Sequence, residues 1–260
     1  MTNRRKLIET KIPEGVIVTR KWLINTTSLD KHAVDNLVKS EHLRVLQKGV
    51  YTRGIPQLSW QSIVYTIQFI LNTDYLVGGF TALEIKGFAH YMSQSKKTII
   101  HLYGNDKLPK WINNLSDNII FVRHSRKELF SSMEQSHSEK YITGNFWKEE
   151  MSKLKISIPE KACLEMLNEV PNKISFEHAN QLIQGMTSLS PRTLQKLLEE
   201  CSSVKVKRLF LWFGQKHNYT WFSKLDQSKI DIGSGNRMIE KGGELDKKYK
   251  ITVPKNFDNE

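Results

Sequence analysis

Residues 16–54, VIVTRKWLINTTSLDKHAVDNLVKSEHLRVLQKGVYTRG, constrain the fold more than any other stretch of the chain. Leu29, Ala33, Val34, Leu37 and Val38 recur at offsets of 0, 4, 5, 8 and 9, which is one face of an α-helix. Lys31, His32, Asp35, Asn36 and Lys39 fall on the opposite face. The hydroxyls of Thr26, Thr27 and Ser28 are placed to cap its start, and Ser40 follows its last turn. A shorter helix, about two turns long, is expected at 20–25. Leu43-Arg44-Val45-Leu46 and Val50-Tyr51-Thr52 then flank Gln47-Lys48-Gly49, where glycine supplies the positive φ of a tight hairpin. Short helix, turn, longer helix and hairpin is the order of a winged helix-turn-helix, whose second helix enters the DNA major groove. A helical hairpin on a β-ribbon, with no DNA role, is the competing reading.

Charge separates the two. Residues 1–56 carry a net +6, residues 57–200 a net +1 and residues 201–260 a net +5, within a chain total of +12. Charge kept only for solubility has no reason to segregate to the ends, whereas a phosphate-contacting surface does. A pI near 9.5 favours an anionic partner, nucleic acid before membrane. No apolar run approaches the ~18 residues of a membrane span, and the start MTNRRKLIETK lacks the apolar core of a secretory signal. Cys163 and Cys201 have no C-x-x-C companion and are expected to be buried free thiols. Together these point to the cytoplasm.

A short helix over residues 2–12 is expected to complete the three-helix core with Leu7 and Ile8, broken by Pro13-Glu14-Gly15. Its Arg4, Arg5 and Lys6 either touch phosphates or simply solvate the helix. Beyond Pro56, Trp60, Ile63, Val64, Ile67, Ile70 and Leu71 mark an amphipathic helix expected to open a second domain. Apolar strands at 75–77, 98–102 and 118–122 alternate with helices, one starting in capping-box form at Thr81-Ala-Leu-Glu84 and one at Leu108-Pro-Lys-Trp111. Residues 153–158 alternate charged and apolar, as in an edge strand. From Pro159 the chain turns helical, with starts at Pro159, Ser175, Ser190-Pro191 and Ser202-Ser203, before a tail of short strands and turns. The fold expected is α+β: a winged helix-turn-helix over 1–56 and a mixed α/β domain over 57–260, with a subdivision near 158.

Sites for chemistry are sparse. Gly78-Gly79 lacks the spacing of a dinucleotide or P-loop motif and reads best as a tight turn. Ile230-Asp-Ile-Gly-Ser-Gly-Asn-Arg237 pairs a glycine-rich turn with an arginine, a weak anion-contact signal. The histidines (32, 42, 90, 101, 124, 137, 178 and 217) never reach H-x-H or H-x-x-x-H spacing, and no hydrolase, kinase or papain-type motif is present. No enzyme activity, metal or cofactor is expected. Lys205, Lys207 and Arg208, with Lys216 and Arg237, suggest a second nucleic-acid patch; a solvated helix face or an anchoring arginine is the alternative.

Several motifs are shared with a known family. The winged unit ending in Lys48-Gly-Val-Tyr51 resembles the N-terminal domain of the AbiEi antitoxins of type IV toxin–antitoxin systems. Val77-Gly-Gly-Phe-Thr-Ala-Leu-Glu84, Gly87-Phe-Ala-His-Tyr91, His101-Leu-Tyr-Gly104 and Leu108-Pro-Lys-Trp111 are similar to its next segment. Val204-Lys-Val-Lys-Arg-Leu-Phe-Leu211, Trp221, Ile232-Gly-Ser-Gly-Asn-Arg237, Gly242-Gly243 and Tyr249-Lys-Ile-Thr-Val-Pro254 extend the likeness almost to the C-terminus, while 123–160 carry no shared motif. The resemblance implies a bacterial protein encoded beside a nucleotidyltransferase toxin of the AbiEii kind. Its winged domain would bind repeated promoter sites and repress the operon. Its C-terminal part would antagonise the toxin without needing a stable complex, in abortive infection against phage.

On this reading Lys31, His32, Asn36 and Lys39 face the groove, and Arg44, Lys48 and Arg53 on the wing meet the backbone or minor groove. Arg20, Lys21, Thr27 and Ser28 complete the DNA-contact set, with Lys205, Lys207, Arg208 and Arg237 as the second patch. The protein is expected to be monomeric in solution and cooperative on DNA. A stand-alone winged-helix regulator, or an RNA or nucleotide-binding module competing for the toxin's substrate, is the alternative.

Overall fold

The computed structural model describes residues 2–54, 58–88, 97–133, 139–255 and 257. The domain boundary expected at 56/57, and His90, Tyr91 and His137, lie outside the described residues. The chain divides into two compact units, one of residues 1–76, 95–122 and 144–155, the other of residues 77–94, 123–143 and 156–260.

The first unit opens with helix α1 (Thr2–Lys11), strand β1 (Ile17–Thr19), helices α2 (Arg20–Thr27) and α3 (Lys31–Lys39), and the hairpin β2 (Arg44–Gln47) and β3 (Val50–Thr52). The hairpin is joined by β1 in an antiparallel sheet of order β1-β3-β2, with Ile17 opposite Thr52. This is the winged helix-turn-helix read from the sequence, with a third strand added. Gly49 turns the hairpin at φ +77°, and its carbonyl accepts the Arg20 N–H at 2.9 Å, joining wing to α2.

Two local details differ from the sequence reading. Asp30, not the hydroxyls at 26–28, caps α3 by accepting the Ala33 N–H at 2.6 Å. Thr27 instead donates back to the Leu23 carbonyl, and Ser28 takes the left-handed turn at φ 54°. In α1 Ile8 is buried, as is Ile12 just past its end, while Leu7 is only half-buried, because the helix presents its later turn to the core.

That core is Ile8, Ile12, Val16, Val18, Leu23, Leu29, Ala33, Val34, Leu37, Leu43 and Tyr51, closed by Met151. Trp147, Tyr65 and Ile70 pack against it. Helix α4 (Trp60–Tyr65) passes into a π-turn over Thr66–Ile70 rather than continuing as one α-helix. The Thr66 hydroxyl donates to the Ile17 carbonyl at 2.9 Å, so this segment is bolted to β1. Lys148 donates to the Glu14 carbonyl at 2.6 Å, and Trp147 lies 3.8 Å from where a side chain on Gly15 would begin.

The remaining long-range strands are β4 (Leu76–Val77), β5 (Thr98–Tyr103), β6 (Ile119–His124), β7 (Ile142–Asn145) and β8 (Leu154–Ser157), in a five-stranded sheet of order β6-β5-β4-β8-β7. Strand β8 is therefore interior, not the edge that its alternating charges suggested; Leu154, Ile156 and Ser157 are buried and only Lys155 is exposed. Gln68 braces it like an extra peptide, its amide donating to the Lys155 carbonyl and accepting the Lys155 N–H, both at 2.9 Å. The segment after Pro109 is a 3-10 turn over Lys110–Asn114 rather than an α-helix.

The second unit is built on helix α6 (Pro159–Leu167), against which pack α5 (Gly79–Ile85), α7 (Phe176–Gln184), α8 (Pro191–Glu200) and α9 (Val204–Lys216). Ser175, Ser190 and Ser203 cap α7, α8 and α9. Pro159 and Pro191 occupy first turns, where their missing N–H costs nothing. Helix α5 begins at Gly79, two residues before the expected capping box, with Gly78 at the N-cap position and therefore no side-chain cap. A two-stranded ribbon, β9 (Glu244–Asp246) with β10 (Ile251–Val253), closes the tail. Gly243 is required there: a Cβ would lie 2.1 Å from the Val253 carbonyl oxygen.

Candidate nucleic-acid interface

Helix α3 turns Ala33, Val34 and Leu37 into the core, which leaves Lys31, His32, Asn36 and Lys39 exposed. His32, Asn36 and Lys39 are spaced four and three apart, so they form one stripe with Lys31 beside it. At the start of α3, Ser28 is exposed; Lys21 is exposed on α2. On the hairpin, Arg44 and Lys48 are exposed.

Three of the expected contacts are committed elsewhere. Arg20 Nε donates to the Tyr51 hydroxyl at 2.8 Å and its Nη2 to Asp35 at 2.5 Å. The Arg20 guanidinium in turn holds the Asp35 carboxyl below its usual pKa. Arg20 thus clamps α2 and α3 to β3 and fixes the angle at which the exposed stripe is presented. Thr27 is buried with its hydroxyl on Leu23. Arg53 Nε donates to the Ile12 carbonyl at 2.7 Å, holding the end of α1. Sequence reasoning missed Asp35 and Tyr51 as partners, because nothing local says which basic side chain will meet a carboxylate fifteen residues on.

The expected second patch is not a surface patch. Arg208 is fully buried and donates to the carbonyls of Ile232, Gly235, Lys250 and Ser234 at 2.7, 2.8, 3.0 and 3.3 Å. The glycine-rich turn at 230–237 therefore wraps a cation with its carbonyls instead of offering N–H groups to an anion. Lys207 is buried, and Lys205 donates to the Asn168 and Val170 carbonyls, both at 2.7 Å. Arg237 alone of the four is exposed. Helix α9 is buried around most of its circumference, and its Lys205, Arg208 and Lys216 serve as internal anchors.

Gly78-Gly79 is likewise occupied from within. The Gly79 N–H donates to Glu165 Oε2 at 2.9 Å, while Glu165 Oε1 accepts from Ser157 at 3.1 Å and from Lys161. A buried carboxylate sits where a phosphate would. Among the described residues, no group of three or more His, Cys, Asp and Glu is placed to hold a metal ion. No helix of the described residues is long and apolar enough to cross a membrane. Cys163 and Cys201 are free and buried, as expected.

A three-helix unit with a β-wing and an exposed polar face on its second turn-helix, followed by a mixed α/β unit, defines a winged-helix protein of α+β class. The comparisons with known proteins take this further. A family model described as "Transcriptional regulator, AbiEi antitoxin N-terminal domain" matches residues 1–94, and one described as "Transcriptional regulator, AbiEi antitoxin, Type IV TA system" matches residues 96–254. The chain belongs to the AbiEi antitoxin family of transcriptional regulators in type IV toxin–antitoxin systems. Its fold is similar to the crystal structure of RV2827C protein from Mycobacterium tuberculosis, at 12% identity and a TM-score of 0.61, covering 96% of this chain and 89% of that one. No curated protein sequence matches.

Proposed function

We propose that this antitoxin binds repeated sites in the promoter of its own operon, represses it, and antagonises a nucleotidyltransferase toxin of the AbiEii kind without catalysis of its own. Residues 1–56 form the DNA-reading module of a cytoplasmic protein that is monomeric in solution and cooperative on DNA. The observation that carries this reading is the α3 stripe: four polar side chains left exposed on a helix whose orientation is locked by the Arg20–Asp35–Tyr51 clamp. A helix so presented suits the major groove. Asn36 is suited to the N6/N7 edge of adenine and Lys31 to guanine or phosphate, while Arg44 and Lys48 track the backbone beside them. Arg20, Thr27 and Arg53 act by holding the module together, which leaves Lys21, Ser28, Lys31, His32, Asn36, Lys39, Arg44 and Lys48 as the contact set.

A mobility-shift titration on the native promoter tests this. Asn36→Ala should cost roughly 1–3 kcal/mol and relax specificity at one base. The double change Lys31→Ala, Asn36→Ala should abolish specific retardation, and undiminished binding by it would sink the recognition-helix assignment.

A further inference from the structure

Strand β6 ends the five-stranded sheet, with β5 on one side and, among the described residues, no strand on the other. Edge strands in folded proteins are commonly shielded by charge or proline. Neither interrupts Ile119-Ile120-Phe121-Val122, and none of these four residues is buried. Ile120 is 40% exposed, and Ile99 on the neighbouring β5 is exposed to a similar degree. The edge has a defined parity. The Asn118 carbonyl accepts the Thr98 N–H at 2.8 Å, so residue 118 turns its peptide groups toward β5. Alternation from there turns the N–H and C=O groups of Ile119, Phe121 and Arg123 outward.

One charge stands at each end of this apolar run, Asp117 before it and Arg123 after it, both exposed. Among the described residues neither side chain makes an ion pair or hydrogen bond. Six residues of extended chain hold them about 20 Å apart, so they cannot pair with each other. A second copy supplies what each lacks. Two β6 strands running antiparallel about a two-fold axis at Ile120 set Ile119 opposite Phe121, outward groups to outward groups. The same register sets Arg123 of each copy opposite Asp117 of the other. An axis at Phe121 keeps the hydrogen bonds but sets Arg123 opposite Ile119 and loses the charge match; an axis between residues faces outward groups with inward ones. Opposite charges across strands are stabilising, and the residue on the axis makes the close, non-hydrogen-bonded pair, which buries the exposed Ile120 against its own copy.

We propose that two copies on neighbouring promoter sites join through β6, Ile120 against Ile120 and flanked by two Asp117–Arg123 pairs, and that this contact is the source of cooperativity on DNA. The proposal rests on the promoter-binding reading above and adds the surface through which the copies meet. One strand edge is small beside the roughly 1,200 Å² of a stable interface, and a net charge of +12 on each copy opposes self-association, so the protein stays monomeric in free solution. DNA neutralises part of that charge and raises the local concentration of one copy around the other.

Mobility-shift titrations of the full-length protein on promoter fragments carrying one site or two provide the test. Asp117→Arg and Arg123→Asp, both at exposed positions, should each lower cooperativity on the two-site fragment by roughly tenfold or more. Both should still retard the one-site fragment. The double change restores opposite charges across the axis and should restore cooperativity, which a misfolded variant would not. Ile120→Cys should give a disulfide-linked dimer on the two-site fragment and none on the one-site fragment, the two native cysteines being buried. Cooperativity unchanged in both single variants, or lost in both and not recovered in the double, would overturn the proposal. Wild type that retards neither fragment would instead remove the promoter-binding reading. In that event Ile120→Cys at high protein concentration decides the pairing alone: a linked dimer upholds it and a persistent monomer overturns it.

Discussion

A guanidinium with no water must be satisfied by protein, and Arg208 achieves this with four carbonyl oxygens from two separate turns of the tail. Arg208→Met should therefore lower unfolding stability by about 2–4 kcal/mol, and Arg208→Lys should recover less than half, because an ammonium lacks the fork that reaches several acceptors. Denaturant midpoints measure this, and promoter binding per folded molecule should be unchanged. His124 makes a second residue-scale prediction. Its Nδ1 lies 3.4 Å from Glu169, which also pairs with Lys173 at 2.7 Å. Burial depresses the imidazole pKa below its ordinary value of 6.5, and the Glu169 carboxylate only partly offsets that. Burial also lowers the pKa of His217. The unfolded chain then takes up these protons more readily than the folded one. The stability contribution is complete above about pH 6.5 and is lost as pH falls through the folded pKa. Unfolding midpoints should fall between pH 7 and pH 5, and His124→Gln should make that fall shallower; an unchanged slope would remove His124 from the linkage.

At the scale of elements, the winged unit is not closed by its own fifty residues. Met151 completes the core around Ile8, Leu23 and Val34, and Trp147 packs against it. Met151→Ala leaves a cavity in that core and should cost about 2–4 kcal/mol, read as a lowered calorimetric transition. Promoter affinity well below the transition should be retained, since no side chain of the α3 stripe is touched. The same core explains why residues 123–160 offered no readable motif: part of that stretch packs against sequence more than a hundred residues away. The Gln68 amide shows the same economy, pairing with Lys155 on β8 as a backbone peptide would.

Across the whole molecule the excess of positive charge at the two ends has two meanings. Near the N-terminus, Lys21, Lys31, Lys39, Arg44 and Lys48 are exposed and available to phosphates. Near the C-terminus, Lys205, Lys207 and Arg208 are spent on internal carbonyls or buried, and Lys216 donates to the Phe257 carbonyl at 2.8 Å. Other C-terminal cations, among them Lys224, Lys229, Arg237, Lys241 and Lys247, stay exposed but lie outside the proposed winged-helix contact set, so counterion release on DNA should follow the first group. Lys48→Ala should weaken all promoter sequences alike and reduce the salt slope of log affinity by about one unit, whereas Lys241→Ala should leave the slope unchanged. An equal loss from both would mean that charge acts diffusely.

Helix periodicity, serine caps, prolines in first turns and the Gly49 hairpin were legible in the sequence because each is set by neighbours within a few residues. So was the winged order of elements, and the family resemblance extended that reading along the chain. What the sequence could not say is which polar groups the fold consumes. Lys31 and Arg208 look alike as residues in helical patterns, yet one stands in solvent and the other is sealed among carbonyls. That difference depends on how α3 and α9 are packed, and burial by distant segments leaves no local trace. For the same reason Asp35 reached Arg20, Glu165 filled the Gly79 turn, and Met151 joined a core that the first fifty residues leave open. Local chemistry determined the elements by itself; only tertiary packing decided which of their charges remain free to act.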